Sequence, residues 1–293
     1  MTTKLKTNEI DLFGNEIVKD ELLRDKFIEP PFSILDTKSG NWQRRKRLWI
    51  AKGLKSEIGR DAKTFSMAEW NKDKGKSGGN SDVSIFDPAL CEVLYHWFCP
   101  KNGTILDPFA GGSVRGVVAN YLSYKYTGID IRQEQIDSNR EQGLDILDIN
   151  NQPQWYVGDS NEILNNFNNN FDFIFSCPPY ADLEVYSDLD GDISNKPYKE
   201  FLALYESIIE KSCKLLNVGG YACFVVGEVR DKNGFYIGFV PDTIKAFEKC
   251  GMKFYNEAIL VSLGSAAMRV NGNMKSQKLV KIHQNILVFK KIA

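Results

Sequence analysis

The sequence has no long apolar run. Its 293 residues are 43% hydrophobic and 26% charged, the balance of an ordinary globular chain, but no stretch is continuous enough to span a bilayer. Charges stud the first residues as far as Arg24, so neither a signal peptide nor a membrane contact is expected, and a cytoplasmic setting is. The six cysteines, Cys91, Cys99, Cys177, Cys213, Cys223 and Cys250, include no Cys-x-x-Cys pair, and His96 and His283 are the only histidines. That excludes a zinc-type ligand spacing and argues for reduced thiols and no metal. There is no G-x-G-x-x-G fingerprint of a dinucleotide site and no internal repeat.

Net charge is also missing, at -1 overall, yet its distribution is uneven. Residues 41–60 carry seven Lys or Arg against one acid, Glu57, and residues 252–291 carry seven against Glu257. Within these blocks Trp42, Arg44, Arg45, Lys46, Arg47 and Trp49 interleave rings and cations, and Arg269, Lys275, Lys278 and Lys281 lie on a segment containing Gly264 and Gly272. Such blocks suit phosphate contacts, so double-stranded DNA is the expected partner and these residues its candidate contacts. A solvated charged face is the plain alternative. Residues 71–82 contain no apolar side chain and cannot bury themselves.

What the sequence does have, from residue 84 onward, is alternation. Short β-type runs at 104–106, 126–131, 155–157, 171–177 and 221–226 are separated by helical patterns, and two further strands near 255–262 and 285–290 close the series. This order predicts an α/β fold with a doubly wound, mostly parallel sheet and an antiparallel pair at one edge. Phe201, Tyr205, Ile208, Ile209, Ser212 and Leu216 fall at helical spacing, and Gly219-Gly220 reads as that helix's C-cap. The expected organisation is an N-terminal arm and basic extension over residues 1–83, then a catalytic domain over 84–293, with 263–281 as a DNA-contacting insertion.

Three carboxylates stand at successive strand ends: Asp107, Asp130 and Asp159. Ligands of open α/β sheets bind at such ends. Asp107 opens the run Asp107-Pro108-Phe109-Ala110-Gly111-Gly112, where two glycines admit a ligand close to the backbone. A carboxylate there suits an ammonium group, Asp130 with Ile131 suits ribose hydroxyls, and Asp159 with Ser160 suits an adenine amino group. Together they describe S-adenosylmethionine, although aspartates also serve as turn and cap residues. After the fourth run comes Ser176-Cys177-Pro178-Pro179-Tyr180. Two prolines remove N–H donors and leave carbonyl acceptors for an amino group, and the tyrosine ring can stack on a planar base.

On these motifs the chain resembles the amino-methyltransferases of DNA, N6-adenine and N4-cytosine type, including phage-like members whose N-terminal extension is similar to residues 31–60. The resemblance implies a seven-stranded class I methyltransferase sheet, S-adenosylmethionine as cofactor at Asp107 to Gly112, Asp130 and Asp159, and a target amino group held by Cys177 to Tyr180. Where the family has Asp, Asn or Ser before the two prolines, this chain has Cys177, a weak acceptor. Ser176 could substitute by a backbone shift, the Pro178 carbonyl could carry more of the contact, or Cys177 could be a nucleophile or a buried thiol. Other acceptors stay open as alternatives: RNA, a protein glutamine, or none if the core is a scaffold for DNA binding. A homodimer and a partner nuclease also remain open, and the recognition site and choice of base are unassigned.

Overall fold

The computed structural model describes residues 27–55, 86–180, 191–231, 233–262 and 273–293. One compact unit spans Phe32–Ala293, and a separate one spans Met1–Pro31, of which residues 27–31 are described. The expected boundary at residue 83 therefore does not mark the compact unit's start. Residues 34–51, read as an extension, are integral to its sheet and core.

Strands and helices alternate as β1 (Ile34–Asp36), α1 (Gly40–Ala51), α2 (Pro88–Phe98), β2 (Thr104–Asp107), α3 (Val114–Tyr121), β3 (Lys125–Asp130), α4 (Gln133–Ile146), β4 (Gln154–Val157), α5 (Ser160–Ile163), β5 (Phe171–Ser176), α6 (Tyr198–Leu215), β6 (Leu216–Val226), α7 (Phe239–Lys249), β7 (Met252–Val261) and β8 (His283–Lys291). The sheet has eight strands in the order β1-β7-β8-β6-β5-β2-β3-β4. Strands β2 to β6 pair in parallel, and β8 runs antiparallel between β6 and β7. The seven expected strands are thus joined by an eighth, β1, which pairs in parallel with β7. Three residues gave too short a run to read from periodicity. Thr37 Oγ1 extends that pairing by donating to the Val261 carbonyl at 2.9 Å.

Strand order reverses between β2 and β5, which places their carboxyl ends at the crevice where such sheets bind ligands. Central β5 is buried on both faces, as its apolar run requires. Helix α6 buries Phe201, Tyr205, Ile208 and Ile209, and this stripe packs with Phe224, Phe239, Phe247 and Phe289 into one apolar cluster. Phe247 stacks on Phe289 at 4.1 Å. One expectation is corrected here: Gly219-Gly220 does not cap α6. The helix stops at Leu215 and the glycines lie within β6. Between Phe171↔Leu216 and Phe173↔Tyr221 the register shifts, so β6 carries more residues than β5. The excess is accommodated by Gly219 at φ +84. No helix among the described residues is long and apolar enough to cross a membrane.

Candidate active site

The turn after β2 is wired into its surroundings through nearly every backbone group. Phe109 N–H donates to Asp107 Oδ1 at 3.2 Å, Ala110 N–H to the Ile129 carbonyl at 2.9 Å, and Gly111 N–H to Asp130 Oδ2 at 3.0 Å. The carbonyls are taken as well: Pro108 by Ser160 Oγ at 2.6 Å, Phe109 and Ala110 by Arg115 at 2.6 and 2.8 Å, and Gly111 by Asn139 at 2.7 Å. Gly111 sits at φ +51 with nothing within 4 Å of where a side chain would begin. The turn is therefore fixed before any ligand arrives, with open space over its glycine. Ala110 is buried, while Gly111 and Gly112 are part-exposed. These features, with the part-exposed carboxylates described below, fit S-adenosylmethionine.

Asp107 differs from its expected role. Its side chain is 0% exposed and is filled by the protein's own donors: Arg115 Nε at 2.5 Å, Tyr126 Oη at 2.7 Å and Ser176 Oγ at 2.5 Å. A carboxylate so enclosed cannot also receive a ligand ammonium. Burial works against the Arg115 charge, but the adjoining Asp107 carboxylate, together with Tyr126 and Cys177, offsets it and raises the guanidinium pKa. Tyr126 is pushed well above its ordinary value by burial and by the same carboxylate. Phe86 covers the guanidinium at 4.6 Å, and Tyr95 fixes the Arg115 carbonyl at 2.8 Å.

Asp130, ending β3, faces the turn and is part-exposed. Besides Gly111 it accepts from Arg132 N–H at 2.9 Å, and the Arg132 guanidinium lies 3.7 Å away. Burial raises its pKa, opposed by Arg132 and by both N–H donors. A ring of contacts backs it: Arg132 to Gln135 at 2.9 Å, Gln135 to Asn139 at 3.0 Å, and Asn139 to Gly111. Gln135, Asn139 and Gln142 recur on one buried face of α4, and Gln142 accepts from Ser113. Ile131 is part-exposed beside Asp130. Asp159 is the N-cap of α5, accepting from Asn161 N–H at 2.8 Å, and remains part-exposed. Ser160 is buried and committed to Pro108.

At the end of β5, Ser176 is fully buried and its hydroxyl points to Asp107. It cannot substitute for Cys177 toward a ligand, which corrects that alternative. Cys177, Pro179 and Tyr180 are part-exposed and Pro178 is buried. The Tyr180 hydroxyl accepts from Gln284 at 2.6 Å, and its ring meets the edge of Phe239 at 5.9 Å and 86°. Asp182, Glu184, Tyr186 and Asp188, an acidic stretch next in sequence, lie outside the described residues.

The basic blocks are divided by the structure. Trp42 and Trp49 are core residues, at 1% and 4% exposure, so they offer no ring to a base. Arg45 is engaged bidentately by Glu92 and Lys46 pairs with Asp87 at 3.3 Å, contrary to their reading as phosphate contacts. Acids distant in sequence supply these partners, which a local charge count cannot show. Arg44 and Arg47 are exposed on α1, Lys275 is exposed and Lys278 part-exposed, while Arg269 lies outside the described residues. Glu228 and Arg230, which follow β6, have separate tasks. Glu228 accepts from Gly238 and Val240 N–H at the start of α7 at 3.2 and 2.7 Å, and Arg230 covers the Tyr236 ring at 3.9 Å.

Sequence reasoning missed Arg115, Asn139, Gln135 and Gln284. The signal for Arg115 was its place eight residues after Asp107, on the helix following the turn; the α4 glutamines and asparagine offered a polar stripe at helical spacing where apolar residues were expected.

No curated protein matches the chain. Among solved structures, it is similar to TrmN from Thermus thermophilus at 14% identity and TM-score 0.45, covering 71% of this chain and 49% of that one. The chain thus spans about half the length of TrmN. A TehB-like SAM-dependent methyltransferase from Corynebacterium glutamicum gives 16% identity and TM-score 0.42, covering 77% and 95%. A methyltransferase from Pyrococcus furiosus gives 16% and 0.49, covering 86% and 98%. Residues 24–141, which include the whole turn from Asp107 to Gly112, match the family described as DNA methylase, a family of methyltransferases that use S-adenosylmethionine.

Proposed function

We propose that the protein transfers a methyl group from S-adenosylmethionine to the exocyclic amino nitrogen of adenine or cytosine in DNA. The observation that carries this reading is the hydrogen bond from Ser176 to Asp107. It joins the cofactor turn to the residue immediately before Cys177-Pro178-Pro179-Tyr180, so both motifs sit side by side at the ends of neighbouring strands β2 and β5. Donor and acceptor sites separated by one strand spacing are what direct group transfer needs.

Gly111, Gly112, Asp130, Ile131 and Asp159 would hold the cofactor: the glycines by close backbone approach, Asp130 by accepting from ribose hydroxyls, and Asp159 by accepting from the adenine amino group. The cofactor supplies a methyl group on a positively charged sulfur. Asp107 contributes by holding the turn. At the acceptor end, the Pro178 and Pro179 positions offer carbonyls without competing N–H donors. Two such acceptors on an amino group favour a pyramidal nitrogen, whose lone pair is otherwise shared with the base ring. Tyr180, steadied by Gln284 and Phe239, offers its ring as a stacking surface for a base turned out of the duplex.

The test is a tritiated-methyl assay on unmethylated duplex DNA, with tRNA, rRNA and protein as competing acceptors. Transfer to DNA is expected, with Pro178→Ala and Tyr180→Ala each reducing it by about a hundredfold or more while cofactor binding persists. Cofactor binding without transfer to any DNA would overturn the proposal.

A further inference from the structure

Gly227 follows β6 and lies against Tyr180, whose hydroxyl is 3.7 Å from where a side chain at Gly227 would begin, while Gln284 at the start of β8 holds that hydroxyl. The segments continuing from these two residues therefore flank the acceptor motif. The first closes on itself as a hairpin in which residues 229–231 face residues 235–237. Arg230 and Tyr236 form an antiparallel bridge, Ile237 N–H donates to the Val229 carbonyl at 3.0 Å, and Asp231 N–H to the Phe235 carbonyl at 2.8 Å. Asp231 Oδ1 takes the Phe235 N–H at 2.8 Å, and Arg230 holds the Gly234 carbonyl at 2.7 Å. This turn presents Phe235 at 72% and Tyr236 at 50% exposure.

The cations converge on the same place. Arg230 lies 3.9 Å over the Tyr236 ring and Lys281 5.9 Å from its centre, and Lys278 approaches the Gly234 backbone. The neighbouring acids are occupied elsewhere: Glu228 by the start of α7 and Asp231 by the turn. Among the described residues, none of the ion pairs involves Arg230, Lys278 or Lys281. A hydrogen-bonded hairpin exposing a large aromatic ring beside its turn, with cations next to it, is complementary to a nucleic-acid strand, whose bases stack and whose phosphates pair.

We propose that this hairpin, with Lys278 and Lys281, contacts the DNA strand that carries the target base, Phe235 stacking on a base next to it and the two lysines meeting its phosphates. The assignment rests on the proposed function for its choice of DNA, and it is tested by binding, which can succeed or fail independently of methyl transfer. Fluorescence anisotropy with a labelled random-sequence duplex is measured across a salt series for the wild type, Phe235→Ala, Phe235→Trp and the double variant Lys278→Gln/Lys281→Gln. Phe235→Ala is expected to weaken binding about tenfold, with Phe235→Trp restoring it. The double variant is expected to lower the salt slope by about two. Isothermal titration with S-adenosylmethionine should give wild-type affinity in all of them, which separates loss of a contact from loss of fold. Wild-type binding and slope in Phe235→Ala and the double variant would overturn the hairpin's role, as would absence of duplex binding by the wild type. Duplex binding that responds as expected, without methyl transfer by the wild type, would overturn the proposed function and leave the hairpin's role standing.

Discussion

A carboxylate with no access to water acts only through the groups that enclose it, and Asp107 is in that position. Its four donors come from the turn itself, α3, β3 and β5, so one buried charge sets the relative placement of the turn and the acceptor motif. Asp107→Asn should cost about 3–5 kcal/mol, because it leaves the buried Arg115 charge uncompensated. Ser176→Ala and Tyr126→Phe, each removing one hydrogen bond to this carboxylate, should cost about 1.5–3 kcal/mol. Urea denaturation measures all three. Asp130 offers a pH test. Its carboxyl pKa is raised by burial, so the stability tied to it is present at low pH and is lost as pH rises through the raised value. For the cofactor contact proposed for Asp130 the dependence runs the other way, because the ionised carboxylate is the better acceptor. Isothermal titration at descending pH should show S-adenosylmethionine affinity falling before an ordinary aspartate would protonate; a fall only within the ordinary carboxylate range would contradict the assignment. The position of Asp107 at a strand end was legible from its spacing, but its burial was not, since Tyr126 and Ser176, which help to enclose it, stand 19 and 69 residues further along the chain.

Among the elements, those with long apolar periodicity were legible. Strands β2, β3 and β5 and helix α6 lie within a residue or two of the expected bounds because burial against the centre of the sheet leaves a strong apolar signature. Strand β1 was not legible, being fixed by a partner more than two hundred residues away. Nor was the start of β6, where a Gly-Gly pair meant a bulge rather than a cap. Helix α4 is polar in sequence, yet its Gln135, Asn139 and Gln142 are buried. Polarity there serves a buried side-chain network, in which Asn139 donates to the Gly111 carbonyl, rather than contact with solvent. Helix α7 shows the same economy at its start, where Gly238 stands at φ +88 and Glu228 supplies the acceptor from outside the helix. Glu228→Ala should cost about 1 kcal/mol in urea denaturation, in line with loss of an N-terminal cap, without altering S-adenosylmethionine affinity.

For the molecule as a whole, the uneven charge distribution is real but smaller in reach than the counts implied. Half of the first cationic run on α1 is spent on Glu92 and Asp87 of α2 and the turn before it. Only Arg44 and Arg47 of that run face solvent. Replacing these two with Gln should lower the salt dependence of duplex binding by about two and leave folding intact. Arg45→Gln should instead lower stability, since Glu92 also holds Trp49 at 3.4 Å. A salt slope that responds to Arg45 as strongly as to Arg44 and Arg47 would reverse this division. The insertion of β8 between β6 and β7 bears on how the chain reaches its native state. Until residues 283–291 have left the ribosome, β7 has no route to the rest of the sheet, and β1, made long before, has no strand to join. The earliest strand to be synthesised is therefore among the last to be placed, and the core from β2 to β6 must hold its shape while both wait.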